Sequence, residues 1–388
     1  MAGFCIVCEY NPLHNGHVYL IERARKLGAD TVTCIMSGNA TQRGELAITD
    51  KYLRAEAAIK CGADLVIELP YPWCASSADY FATAALSLAF AFGEKLIFGS
   101  ESADTAALIQ AAELCETEEF RQSFDERILS GEGAAGAYLS GLAEKGFEGI
   151  SSNDILGIAY IRAIKRLGLD ITPVAVKRQG AAFNCEDTVE GIFQSATALR
   201  SLISDGRFDV LERFMPLPML EILKAEKDKA SLTDMREIDT AALSFFRLSS
   251  PEDFRDIAEA SGGLANRICS IAHESKSYLE LFQNVRTKRY TDAKIRRAML
   301  FCMTGVKQRD IYELPAYTTL LASNDKGREL LSKNKKLQGV RVVTKPADAP
   351  REEIQYMLSE RLDALYTLAR SNRQNTDCFI KKKAYIQK

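Results

Sequence analysis

The chain has no apolar run long enough to cross a bilayer. The longest, Phe81 to Phe92, is interrupted by Thr83 and Ser87 and stops at Gly93, short of the roughly 20 residues a span needs. Nor does the N-terminus read as a secretory signal, because Met1-Ala2-Gly3-Phe4-Cys5 carries no basic segment ahead of its apolar residues. The ten cysteines follow no repeated spacing. A stapled secreted scaffold is thereby disfavoured, and reduced thiols in a cytoplasmic protein are expected. Histidine is scarcest of the chemically versatile residues, with three in 388.

What is present describes an ordinary folded protein. Apolar residues make up 47% and charged residues 26%, which leaves little room for disorder, collagen or coiled coil. The length suggests roughly two to three domains of about 100 to 200 residues. The net charge of -2 conceals a split. Residues 286–388 hold 23 Lys+Arg against 11 Asp+Glu, and residues 1–285 hold 27 against 41. An acidic body with a basic face points to an anionic partner, although solvated helix faces give the same count.

Over the first 180 residues, short apolar runs alternate with helical patterns, as in a parallel sheet covered by helices. Strands are expected at Gly3–Cys8, Thr31–Met36, Asp64–Leu69, Lys95–Phe98 and Thr172–Val176. Helices are expected at Gly16–Leu27, Asp50–Cys61, Ser77–Phe92, Thr105–Cys115, Ala134–Lys145 and Asn153–Leu167. The strands run Val-Ile-Leu without alternation, so both faces of the sheet should be buried. The expected fold class is therefore α/β, Rossmann-like. From about residue 205 successive helices follow, and the division falls into residues 1–204 and 205–388. Near the end, Tyr317–Leu321, Lys326–Lys335, Gly339–Thr344 and Pro350–Arg370 read as a small strand-helix-strand-helix unit.

Two of the three histidines, His14 and His17, stand directly after the first strand, in Cys8-Glu-Tyr-Asn-Pro-Leu-His-Asn-Gly-His17. In an open parallel sheet, ligands bind beyond the carboxyl ends of the strands. Asn11-Pro12 makes the turn, Gly16 lets a base or phosphate approach the backbone, and the helix starting here directs N–H groups at an anion. Residues three apart share a helix face, so both imidazoles can meet one phosphate chain. This suits attack on the α-phosphate of ATP, the histidines donating to charge that builds on phosphate oxygens. The plainer alternatives are two surface histidines or a metal pair. A metal would need further ligands, and Cys5-x-x-Cys8 on a strand points its thiols to opposite faces.

H-x-G-H after a first strand resembles the signature of the nucleotidyltransferase superfamily. The longer string Glu9 to His17 resembles a narrower group, the bacterial tRNA(Met) cytidine acetate ligases. Further collinear blocks carry the likeness: Met36-Ser-Gly-Asn39, Gln42-Arg-Gly-Glu45, Asp64 to Pro70, Ser77 to Ala82, Phe98-Gly-Ser-Glu101, Ser152 to Gly157, Lys177-Arg178 and Ser195-Ala-Thr-Ala-Leu-Arg200. Departures are Leu13 where the family usually has phenylalanine, Ser152 where it usually has proline, and Thr318 to Ser323 in place of an arginine- and glycine-containing segment.

The resemblance implies an enzyme that activates acetate with ATP as acetyl-adenylate and then acetylates the wobble cytidine of elongator tRNA(Met). The cofactor nucleotide is ATP, with Mg²⁺ expected to neutralise its phosphates. Neither membrane nor DNA is an implied partner. Binding positions implied are Val7, Cys8, Glu9, Tyr10, Asn11, Pro12, Leu13, His14, Asn15, Gly16, His17, Val18, Tyr19 and Leu20, with Gly99, Asn153 and Arg178. Gly99 stands at a strand end where adenine could lie against the backbone, or a plain turn could form. Asn153 could contact ribose or simply cap its helix. Arg178 could pair with phosphate or be an ordinary exposed arginine at a strand end. Thr197 and Arg200 fit a helix start meeting the leaving phosphates, the alternative being an N-cap with a solvated arginine.

The basic region opens with Arg286 to Arg297, expected as a helix that buries Ile295, Leu300 and Met303 with its cations outward. Such cations would hold RNA phosphates in a salt-dependent way. The Lys381-Lys382-Lys383 tail is expected either to add to that field or to be disordered. His273 reads as a helix-surface residue. Other functions compatible with the first turn are a small-molecule adenylyltransferase or ligase and a non-catalytic RNA-binding protein.

Overall fold

A computed structural model describes residues 2–178, 193–334 and 341–387. The order begins β1 (Gly3–Cys8), α1 (Asn15–Lys26), β2 (Thr31–Ser37), α2 (Lys51–Lys60), β3 (Leu65–Leu69), α3 (Ala78–Ala89) and β4 (Lys95–Ser100). Then come α4 (Thr105–Cys115), α5 (Glu118–Leu129), α6 (Ala134–Glu144), α7 (Ser152–Leu167) and β5 (Thr172–Lys177). The helical stretch comprises α8 (Ala196–Ser204), α9 (Leu217–Asp228), α10 (Asp239–Leu248), α11 (Leu264–Ala272), α12 (Tyr278–Val285) and α13 (Asp292–Thr304). Last are β6 (Tyr317–Ser323), α14 (Asp325–Asn334), β7 (Arg341–Val343), α15 (Ile354–Leu368) and β8 (Tyr385–Ile386).

The strands lie in the order β5-β4-β1-β2-β3-β6-β7, with β8 beside β6. The first five named strands are mutually parallel. Every residue of β2 and β3 is buried, which explains their unbroken apolar runs and why a two-residue alternation is missing. From β1 the chain steps outward to β2 and β3, then returns to β4 on the other side. The right-handed rule for parallel crossovers assigns α1 and α2 to one face and α3 and α7 to the other, and α3 and α7 do pack together. The reversal of winding opens a crevice at the carboxyl ends of β1 and β4.

The small terminal unit expected from sequence is not separate. β6 pairs antiparallel with β3, Leu65 opposite Ser323 and Val66 opposite Ala322, and the Thr318 hydroxyl donates to the Glu68 carbonyl at 2.6 Å. The reason is the edge of β3, which would otherwise expose apolar backbone; β6 is buried throughout and covers it. Lys335 and Gly339, placed in that unit by sequence, lie outside the described residues. The lysine tail runs back against the body, where Lys382 Nζ sits 3.0 Å from the buried Asp50, the N-cap of α2. His273 is exposed at the end of α11.

Candidate active site

A cleft of ≈ 470 Å³ opens where the winding reverses. His14 is the N-cap of α1, and its Nδ1 accepts from the Gly16 N–H at 3.1 Å. His17 answers: its Nδ1 accepts from the His14 N–H at 3.2 Å. The rings stack at 3.7 Å between centroids, and Tyr10 meets His17 edge-on at 4.9 Å. An imidazole nitrogen that accepts carries no proton, so both rings hold their hydrogen on Nε2. Each therefore presents a neutral Nε2–H donor to the cleft that both line.

Electrostatics agree with the hydrogen bonds. Burial, reinforced by the Arg178 charge, lowers His14 to about 3. Burial also holds His17 well below its ordinary value, with His14 and Arg178 adding to the effect. Gly16 lies beneath the His14 ring, where a Cβ would stand 3.0 Å from Cε1. The missing side chain thus admits the histidine itself.

Of the residues expected here, Val7, Cys8, Glu9, Tyr10, Asn11, His14, Gly16, His17, Tyr19, Leu20, Gly99, Asn153, Arg178, Thr197 and Arg200 line the cleft. Leu13 is fully buried in the core instead. Asn15 turns away, its Nδ2 donating to the Arg213 carbonyl at 3.0 Å and its backbone N–H to Phe214 at 2.9 Å. Pro12 and Val18 do not face the cleft. Over Gly99 lies the stem of Arg178, whose Cγ would stand 3.1 Å from a Cβ there.

The capping alternatives are corrected. The N-cap of α7 is Ser151, in a reciprocal box with Asp154, while Asn153 Nδ2 donates to Glu101 at 2.7 Å. Ser152 thus occupies the first helical position, which proline also fills well. The N-cap of α8 is Ser195, not Thr197. Arg200 is not solvated at large: it donates to the Asn11 carbonyl at 3.0 Å and to Glu45 at 2.9 Å.

Other residues of the cleft are not among those the sequence assigns to it, although Gln42-Arg-Gly-Glu45 is one of the blocks that carry the resemblance. Gln42, Arg43 and Glu45 line the cleft from the loop after β2, and the Gln42 N–H donates to Glu9 at 2.7 Å. Burial raises the Glu9 carboxyl above its usual range against that hydrogen bond. Beneath the cleft lies Arg54, fully buried, donating to the carbonyls of Glu9, Ser37, Gly38 and Thr49. A cation amid Ala55, Ala57 and Ala58 on a buried helix face was its one visible signal. Gln194 also lines the cleft.

The helix expected over Arg286–Arg297 begins only at Asp292; Arg286, Lys288 and Arg289 stand exposed in a turn closed by a Thr287–Tyr290 bridge, and the helix itself is only partly outward. Ile295 and Leu300 are buried as expected and Met303 only half-buried, but Arg297 is buried too, 3.0 Å from Glu259. Arg296 lies over the Phe282 ring at 4.2 Å and 3.6 Å from Glu45. The cause is the close approach of Gly44, where a Cβ would stand 2.4 Å from the Arg297 backbone nitrogen. That approach seats the start of α13 on the cleft, which Thr291 and Ala293 line.

A second cavity, also ≈ 470 Å³, surrounds the buried Lys51–Glu68 pair at 2.6 Å and holds none of the expected site residues. Among the described residues no group of three or more His, Cys, Asp or Glu is placed to hold a metal, and no helix is long and apolar enough to cross a membrane.

Comparison with known proteins places this cleft in context. The HIGH Nucleotidyl Transferase family profile matches residues 1–378. The chain is 36% identical over 365 residues to the tRNA(Met) cytidine acetate ligase of Acetivibrio thermocellus, covering 88% of each. It is 34% identical over 390 residues to that of Caldanaerobacter subterraneus, covering 96% of each. Ligand-free Thermotoga maritima TmcAL superposes with a TM-score of 0.92 at 30% identity, both chains covered 100%. The same protein bound with alpha-thio ATP gives 0.88 at the same identity and coverage. The chain belongs to the HIGH nucleotidyltransferase family and, within it, to the tRNA(Met) cytidine acetate ligases.

Proposed function

We propose that this protein is an ATP-dependent ligase that activates acetate and transfers it to the wobble cytidine of elongator tRNA(Met). The carrying observation is the reciprocal His14–His17 cap, which fixes two neutral Nε2–H donors at the crevice beyond β1 and β4. An oxygen of acetate forms a bond to the α-phosphorus, and the bond to the β-phosphate breaks with loss of pyrophosphate. His14 and His17 donate to phosphate oxygens as charge builds, and need no proton exchange to do so. Arg178 and Arg200 flank them as cations suited to phosphate. In the second step the cytidine N4 attacks the acetyl carbon, the mixed-anhydride C–O bond breaks, AMP leaves and N4 gives up a proton.

Residues 1–204 would carry the nucleotide chemistry, with Gly99 and Asn153 at the nucleoside end, and residues 205–388 would hold RNA through exposed cations such as Arg286, Lys288 and Arg289. Mg²⁺ would arrive on the ATP phosphates, where it would offset their charge.

The test is nucleoside mass spectrometry of bulk bacterial tRNA incubated with protein and ATP, with and without acetate. Acetate-dependent acetylcytidine in methionine tRNA is expected. Folded, ATP-binding protein that leaves tRNA unmodified would assign the adenylate chemistry to another acceptor.

A further inference from the structure

Gln194 is 4% exposed and lines the active cleft. Neither its Oε1 nor its Nε2 has a hydrogen-bond partner among the described residues. A buried carboxamide with both ends unmatched costs free energy unless something fills the site. Beside it, Phe193 and Tyr19 also line the cleft, their rings 6.3 Å apart and edge-to-face. Aromatic faces next to an amide that offers one donor and one acceptor suit a nucleobase splayed out of its stack.

Two bases take part in the proposed reaction, adenine and cytosine, and both present an amino donor beside a ring-nitrogen acceptor. Position separates them. The β4 side of the cleft holds Gly99 and Asn153. Gln194 instead precedes α8, whose Arg200 is tied to Asn11 and Glu45. Glu45 also approaches Arg296 of the basic helix, the start of which lines the same cleft. The exposed Arg286, Lys288 and Arg289 stand in the turn just before that helix, so an RNA held there would reach the cleft past Thr291 and Ala293, which line it together with Gln194. We infer that the Gln194 carboxamide reads the acceptor cytosine, its Oε1 accepting from N4–H and its Nε2 donating to N3. One N4 hydrogen is then held by the amide. The lone pair forms the bond to the acetyl carbon, the bond to AMP breaks, and the other hydrogen departs as a proton.

This rests on the ligase reading above, and the assay separates the two. Acetate-dependent pyrophosphate exchange by the unaltered protein tests the first half-reaction, and acetylation of tRNA tests the whole. If the unaltered protein does neither, the ligase reading fails and the assignment of Gln194 falls with it; if it does both, the variants test the assignment alone. In Gln194→Leu, exchange and the KM for ATP should stay within about twofold, while kcat/KM for tRNA should fall about 10- to 100-fold, the worth of a bidentate base contact. Gln194→Glu keeps the shape and the acceptor, and should lose less. Exchange falling in step with transfer in both variants, or a raised KM for ATP, would assign the amide to adenine and overturn the inference. Unchanged transfer in both would overturn it as well.

Discussion

The neutrality of His14 has a thermodynamic signature. Its folded value is about 3 against an ordinary 6.5, so between those limits the unfolded chain binds a proton that the folded chain refuses. The contribution is complete above the unfolded value, and it drains away as pH falls toward the folded one. From about pH 7.5 to about pH 5.5 the unfolded imidazole goes from roughly one-tenth to roughly nine-tenths protonated while the folded one stays neutral. That span should cost about 1 kcal/mol for this residue alone. His14→Asn removes the titration but keeps a good N-cap for α1. Urea unfolding of both proteins at the two pH values should therefore show the parent losing about 1 kcal/mol more than the variant. Pyrophosphate exchange, over the same span, should show no inflection from His14. Parallel stability curves would refute the reasoning, for they would mean that His14 takes up a proton in the fold and cannot accept from Gly16 at Nδ1.

Arg54→Met should destabilise by about 3 kcal/mol in chemical denaturation, because the carbonyls of Glu9, Ser37, Gly38 and Thr49 lose a common buried donor. A loss near zero would mean that these carbonyls find other partners. The basic stretch, a turn followed by α13, should divide by burial. Lys288→Ala with Arg289→Ala, both exposed, should lower the slope of log affinity for RNA against log salt by about 2 and leave stability unchanged. Arg297→Ala should leave that slope alone and lower stability, since it strands Glu259; filter binding across a salt series separates the two.

The parallel layer was legible because its signals are local. Buried strands announce themselves as apolar runs, the intervening helices by their period, and the first turn by two rare histidines three residues apart. What was not legible depends on distant partners. The segment Tyr317 to Leu321 reads as a strand, but nothing nearby states that it will cover β3 antiparallel, some 250 residues away along the chain. Caps are similar: Asn153 and Thr197 are plausible cap residues, and Ser151 and Ser195 took the positions because chain direction at the end of each approach decides which side chain meets the N3 amide.

Arg297 shows the same limit for charge. Counting it among outward cations was reasonable on a helix of unknown rotation, yet contact with Gly44 turns it toward Glu259 and brings Thr291 and Ala293 to the cleft. The consequence is functional. Glu45 lies 2.9 Å from Arg200 and 3.6 Å from Arg296, so one carboxylate joins the helix beside the histidines to the helix that follows the exposed basic turn. The charge split along the chain implies two separate jobs, but the ion pairs put them on one wall. An RNA phosphate that competed with Glu45 for Arg296 would act on the partner of Arg200 as well, coupling RNA arrival to the nucleotide end of the cleft through a single side chain.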